Sequence, residues 1–146
     1  MKKILTLSSF LLFCLYACKN EDKKPAEPES DVNVVTNFIQ SALYGDYEKA
    51  RTYMLPDSIN QERMNMIERV NLLPEEKKGL ASASIIVHNI TRTNDSTTIV
   101  IYSNSFKNNR DTLKAVRLKG QWLVDFNYLF DHESDTLMNK KDTLIK

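Results

Sequence analysis

Cysteine is almost absent from this chain: there are two in 146 residues, Cys14 and Cys18, and both fall within the first eighteen. Everything after them is without a thiol, so neither a disulfide framework nor a cysteine-based zinc set can hold it together. Histidine is equally scarce, and the separation of His88 and His132 fits no paired metal-ligand spacing. With three glycines and four prolines, there is no glycine-rich loop to cradle a phosphate. The one extended apolar run, Ile4 to Tyr16, meets charge from Lys19 onward, short of the roughly 20 residues that cross a bilayer. Charge of neither sign dominates. The 20 basic and 19 acidic residues give a net charge of +1, without the basic excess of a nucleic-acid binder. The sequence therefore predicts no metal, no cofactor and no nucleic acid.

What is present begins at the N-terminus, in three parts. Lys2 and Lys3 form a positive start, Ile4 to Tyr16 an apolar core, and small Ala17 precedes Cys18 where cleavage is permitted. The run Leu15, Tyr16, Ala17, Cys18 resembles a bacterial lipobox, although Tyr16 is bulkier than usual there. The resemblance implies that residues 1–17 are a signal peptide and that Cys18 carries lipid after cleavage. Cys14 follows bulky Phe13 and does not fit. An ordinary secretory cleavage after Ala17 is the plainer alternative. The two or three acyl chains of such an anchor hold a protein stably on a membrane, where one chain does so only marginally. The expected address is the bacterial cell envelope, the outer membrane before the inner.

Cleavage would remove Lys2 and Lys3 and leave a chain with one more acid than base, of a length that suits one domain. Residues 18–30 begin with Cys18 and continue through a charged stretch containing Pro25 and Pro28, the composition of a disordered tether. Lys19, Asn20, Glu21 and Asp22 partly resemble the run that follows the lipidated Cys in surface-exported lipoproteins, though a solvated tether has the same composition.

Beyond Ser30, helical periodicity comes first and strand periodicity second, the order of a segregated α+β fold. Asp31 is placed to cap a helix carrying Val32, Val35, Phe38, Ile39, Ala42 and Leu43 on one stripe, with Gly45 as its stop. Asp46 caps a further helical piece in which Tyr47, Ala50 and Met54 continue the stripe to Pro56. Ser58 and Gln61 form a capping box before Met64, Ile67 and Val70, and Pro74 opens a short charged helix closed by Gly79. The period then changes to two. Ile85–Thr91, Thr97–Ser103, Thr112–Leu118 and Gln121–Asn127 read as an antiparallel meander, with Trp122, Val124 and Phe126 facing the helices.

These residues carry a family resemblance. Phe38, Ala42, Leu43, Gly45, Asp46, Tyr47, Glu48, Lys49, Ala50 and Tyr53, with the strand half ending in Gly120 to Phe126, resemble small bacterial lipoproteins within the nuclear transport factor 2-like superfamily. The resemblance implies a cone over residues 31–130, in which a curved antiparallel sheet of about four strands wraps N-terminal helices. That superfamily holds enzymes and inert binding modules alike. Its isomerases set a carboxylate base and a hydroxyl donor in an apolar cavity. His88, Tyr102, Asp125, Tyr47 and Tyr53 supply suitable residue types, but their positions match no enzyme pattern. For His88 and Asp125 an exposed strand face explains as much, and for the tyrosines core packing does. The favoured expectation is a non-catalytic module that binds a small apolar ligand or an envelope protein. The alternative is a small cavity isomerase, dehydratase or hydrolase.

One pattern is dense. Asp followed by Ser or Thr and a small or aliphatic residue occurs at Asp57, Asp95, Asp111, Asp135 and Asp142, where composition alone predicts about 0.6 occurrences. It resembles an O-glycosylation acceptor of Bacteroidetes-type envelope proteins, and would place sugar on Ser58, Ser96, Thr112, Thr136 and Thr143. Caps and turns account for Asp57 and Asp95 without sugar. Thr136 and Thr143 sit in a polar C-terminal tail, residues 131–146, in a short imperfect repeat.

Overall fold

The computed structural model describes residues 29–131. Cys18, expected to carry lipid, His132, and Thr136 and Thr143, expected as sugar acceptors, lie outside the described residues.

Helices come first, as the periodicity predicts. Helix α1 (Asp31–Tyr44) opens at Ser30, whose hydroxyl accepts from the Asn33 N–H at 3.2 Å. The cap falls one residue before the expected Asp31 because the Asp31 carboxylate is turned inward, onto Arg92 and Thr98. Val34, Val35, Phe38 and Ile39 are buried while Val32 is only half-buried, so the apolar face is centred on Val34 and Val35. Gly45, at φ 79°, ends α1 as expected.

Asp46 caps α2 (Tyr47–Thr52) by accepting from the Lys49 N–H at 3.1 Å. This helix stops before Met54 rather than running to Pro56, because the next residues pair with the sheet. Leu55 N–H donates to the Val124 carbonyl at 2.9 Å and Val124 N–H to the Tyr53 carbonyl at 2.8 Å. Met54 thereby sits in a parallel bridge to Val124 and is buried. The Arg51 guanidinium ties α2 to the next helix through Gln61, Asn65 and Glu68.

Helix α3 (Ser58–Glu68) is capped by Asp57, with Ser58 as its first helical residue. The Asp57 carboxylate accepts from the Asn60 backbone at 2.9 Å and its side-chain amide at 2.8 Å. Those hydrogen bonds hold it below the ordinary carboxylate range. Met64 is fully buried and Ile67 packs against the core, whereas Val70 is exposed. In α4 (Pro74–Ala81) the Glu76 carboxylate accepts from the Leu73 N–H at 3.1 Å. Gly79 does not close this helix. It lies inside it, against the Phe106 ring, where even a Cβ would overlap the aromatic carbons.

The fold is α+β: after the helices, β1 (Ile85–Asn94), β2 (Thr97–Asn104), β3 (Arg110–Leu118) and β4 (Gln121–Asp125) form an open antiparallel sheet in chain order. The expected last strand ends early, at Asp125, where the chain enters a helical turn over residues 127–131. Strand register pairs Val100 with Leu113, Thr98 with Ala115, and Ala115 with Val124, and all five are buried on the face that meets the helices. Phe38 from α1 meets Phe126 there, with ring centroids 5.1 Å apart. Trp122, expected in the core, is half-buried at its rim under the Arg117 guanidinium, which lies 5.9 Å from the ring centroid.

The hairpin between β3 and β4 turns at Lys119 and Gly120, closed by the Leu118–Gln121 pair. Lys119 holds φ 51°, a left-handed conformation that costs a residue with a Cβ roughly 1 kcal/mol. Lys119→Asn is expected to raise stability by about 0.5 kcal/mol, read as a later urea midpoint at unchanged slope. An earlier midpoint would contradict this account of the turn.

Candidate functional site

In an antiparallel sheet with helices on one side, side chains alternate between a covered inner face and an open outer face. That alternation separates the candidates named from sequence. Tyr102 belongs to the inner face: it pairs with Asp111 on β3 and is 8% exposed. Burial, reinforced by the nearby Asp111 charge, pushes its phenol above the ordinary range, so it stays protonated through neutral pH. Tyr47 and Tyr53 are half-buried against the same core from the helical side.

His88 and Asp125 lie on the outer face, near opposite edges of the sheet. The irregularity between Val87 and Asn89 places His88 beside Ser103, and its Nε2 lies 2.9 Å from the Ser103 Oγ. Ser103 is itself 3% exposed, too enclosed for its hydroxyl to meet a substrate. Asp125 is held by Lys114, with its carboxylate 2.6 Å from the Nζ, and neither side chain is freely exposed. The sheet thus divides the proposed acid–base set between its two sides. Tyr102 and Asp111 are neighbours; His88 and Asp125 join neither them nor each other.

The most elaborate polar arrangement involves a residue read from sequence only as a helix cap. Asp31 is 4% exposed and Thr98 fully buried. The Asp31 carboxylate accepts from Arg92 Nε at 2.8 Å, Arg92 Nη2 at 3.2 Å, Thr98 Oγ1 at 2.8 Å and the Val32 N–H at 2.9 Å. Burial raises the affinity of this carboxyl for a proton, but the hydrogen bonds and the guanidinium charge outweigh it and hold Asp31 below its ordinary value. No sequence motif marks the group, because its members are some sixty residues apart. It pins the start of α1 to β1 and β2. A second group joins α3 to the turn after β4: Asn60 Oδ1 accepts from the Asn127 N–H at 2.9 Å, and Arg63 Nε donates to Asn127 Oδ1 at 3.0 Å. Both groups are satisfied within themselves, and among the described residues no buried side-chain nitrogen or oxygen lacks a partner.

Among the described residues no three His, Cys, Asp or Glu side chains are placed to hold a metal, and no helix is long and apolar enough to cross a membrane. Of the glycosylation candidates, Ser58 and Ser96 are exposed, Ser58 opening α3 and Ser96 in the β1–β2 turn with its hydroxyl on Asn94. Thr112 is half-buried in β3, opposite Ile101. Comparison with known protein families, curated proteins and solved structures gives no match to this chain.

Proposed function

We propose that this chain is a lipid-anchored protein of the bacterial cell envelope, attached through Cys18, and that residues 31–130 form a cone of the nuclear transport factor 2-like kind. Its work is non-catalytic: it binds a small apolar ligand or an envelope protein. The observation that carries the address is the ordered run from Lys2 to Cys18, in which a positive start, an apolar core and a small residue before cysteine succeed one another. Support for a binding role comes from the dispersal of the titratable side chains. His88 and Asp125 are tied to Ser103 and Lys114 on one side of the sheet, while Tyr102 lies on the other, so these three do not converge on one point.

A cavity isomerase, dehydratase or hydrolase is the second reading, and Tyr102 favours it. A buried, protonated phenol beside Asp111 is a hydrogen-bond donor of the type such sites use. Turnover abolished by Tyr102→Phe with the fold intact would establish this reading over the first.

The test of the anchor is Cys18→Ser in the full chain, expressed in a bacterium that processes lipoproteins. Wild type is expected to stay with membranes through an alkaline wash and to show the mass of acyl chains on a cleaved polypeptide. The variant should appear in the soluble fraction with an unchanged circular dichroism spectrum. Retention of the variant on washed membranes would remove the anchor. The same intact mass reads sugar, since modification of Thr112, Thr136 or Thr143 would exceed polypeptide plus acyl chains.

A further inference from the structure

The outer face of the sheet departs from what an open antiparallel sheet normally shows to water. Such a face alternates polar residues against the apolar ones beneath. Strand β2 instead runs Ile99, Val100, Ile101, Tyr102 without a break, the pattern of a strand covered on both sides. Val100 and Tyr102 are buried under the helices. Ile99 and Ile101 point the other way and are half-exposed. Register extends them into a diagonal. Ile86 pairs with Ser103 one step beyond Ile101, and Val116 faces Thr97 one step beyond Ile99 and pairs with Leu123 on β4. Ile86 is 42% exposed at one end. Five aliphatic side chains thus cross the sheet from corner to corner. Leu123 at the far corner is buried, Tyr128 of the helical turn after β4 lies over Lys114 beside the diagonal, and the other four are at least partly open to solvent.

From this we infer that the outer face is where a second copy of this chain packs, sheet against sheet. Charge decides among the possible occupants. A membrane surface or a nucleic acid would call for unpaired basic side chains. The one lysine at the middle of this face, Lys114, is neutralised by Asp125 at 2.6 Å, and a single exposed base, Arg110 opposite Ser103, stands at its corner, too few for a basic patch. The face therefore carries no net charge at its centre. A two-fold axis through it sets Lys114 of one copy toward Asp125 of the other, and Ile101 toward Ile101, so one patch complements itself. Area is consistent with this. Four strands about 4.8 Å apart and about 26 Å long present on the order of 450 Å² in projection. Side-chain relief raises the accessible area above that. Two such faces bring together on the order of 1,000 Å², the lower bound of a specific interface. The expected product has four layers, helices outside and two sheets within, about 10 Å apart. Thr112 lies beside Ile101 on the same face, so this association shields it and excludes a sugar there. The inference stands independently of the lipid anchor.

The experiment is sedimentation equilibrium of the full chain in density-matched detergent, from about 1 to 100 µM, with Ile101→Lys and the control Ile59→Lys on α3, where the side chain is 56% exposed. Wild type and the control should associate with a dissociation constant on the order of 10 µM. Ile101→Lys should weaken association about 100-fold, because two unpaired ammonium groups would be buried together. Thr112→Arg, on the same face, gives the same reading if Ile101→Lys does not fold by circular dichroism. A wild type that stays monomeric at 100 µM overturns the inference. So does association that persists in a folded face variant.

Discussion

Phe38→Ala is expected to destabilise the domain by about 4 kcal/mol, the largest effect of any single truncation proposed for it. Phe38 is 2% exposed, one of the largest fully enclosed side chains, and it joins α1 to the chain that leaves β4. Its ring meets Phe126 at 5.1 Å, and Phe126 meets Phe130 at 5.4 Å in an edge-on arrangement. Alanine would forfeit the burial of the ring and leave a cavity that α1 cannot collapse into, because Asp31 fixes the helix start and Gly45 its end. Domains of this size have roughly 5–15 kcal/mol in hand, so the variant should be close to unfolding at 37 °C. Urea unfolding measures it: the midpoint should fall steeply at unchanged slope. Phe38→Leu, which retains most of the volume, should cost no more than about 1.5 kcal/mol. A loss under about 1 kcal/mol for the alanine variant would mean that the aromatic row is not the centre of the core.

The second large effect belongs to Asp31. Replacing it with alanine leaves the Thr98 hydroxyl buried without its acceptor and releases the Arg92 guanidinium to water. Because the Arg92 side chain is 64% exposed, the ion pair itself contributes little. The enclosed hydrogen bonds carry the expected cost of about 2 kcal/mol. This loss has a pH signature. The folded carboxyl binds a proton less readily than the unfolded one, so the unfolded chain takes up the proton first as the solution is acidified. The stabilisation is therefore complete above about pH 5 and disappears as pH falls through the ordinary carboxylate value near 3.9 toward the lower folded value. Asp31→Asn should flatten the acid limb of stability against pH without abolishing it, because Asp57 is depressed as well. An acid limb identical in wild type and Asp31→Asn would show that the carboxylate is not held as described.

How much of this was legible in the sequence depended on how local the cause was. The four strands and their order followed from alternation and turn residues, which act within a few positions. The stop at Gly45 and the cap at Asp46 were equally local. Three of the misplacements share one cause, a distant partner. Asp31 reads as a cap until Arg92 and Thr98 are brought to it. Met54 continues a helical stripe until Val124 offers a hydrogen-bonded edge. Gly79 reads as a helix stop until Phe106 occupies the space a side chain would need. The candidate site fared worse for the same reason. His88, Tyr102 and Asp125 have plausible chemistry singly, and only strand register reveals that a sheet stands between them.

The strap at Tyr53–Leu55 has a consequence for how the molecule comes into being. It closes on Val124, some seventy residues later in the chain, and the apolar face of α1 is completed by Phe126. A polypeptide emerging from its N-terminus presents all four helices before any surface exists for them to cover. They cannot complete their core until the last strand has arrived. Such a dependence on distant pairings makes folding late and slow. A chain of this design stays loose while its last strand is still to come, and becomes compact only once Val124 and Phe126 have reached the helices.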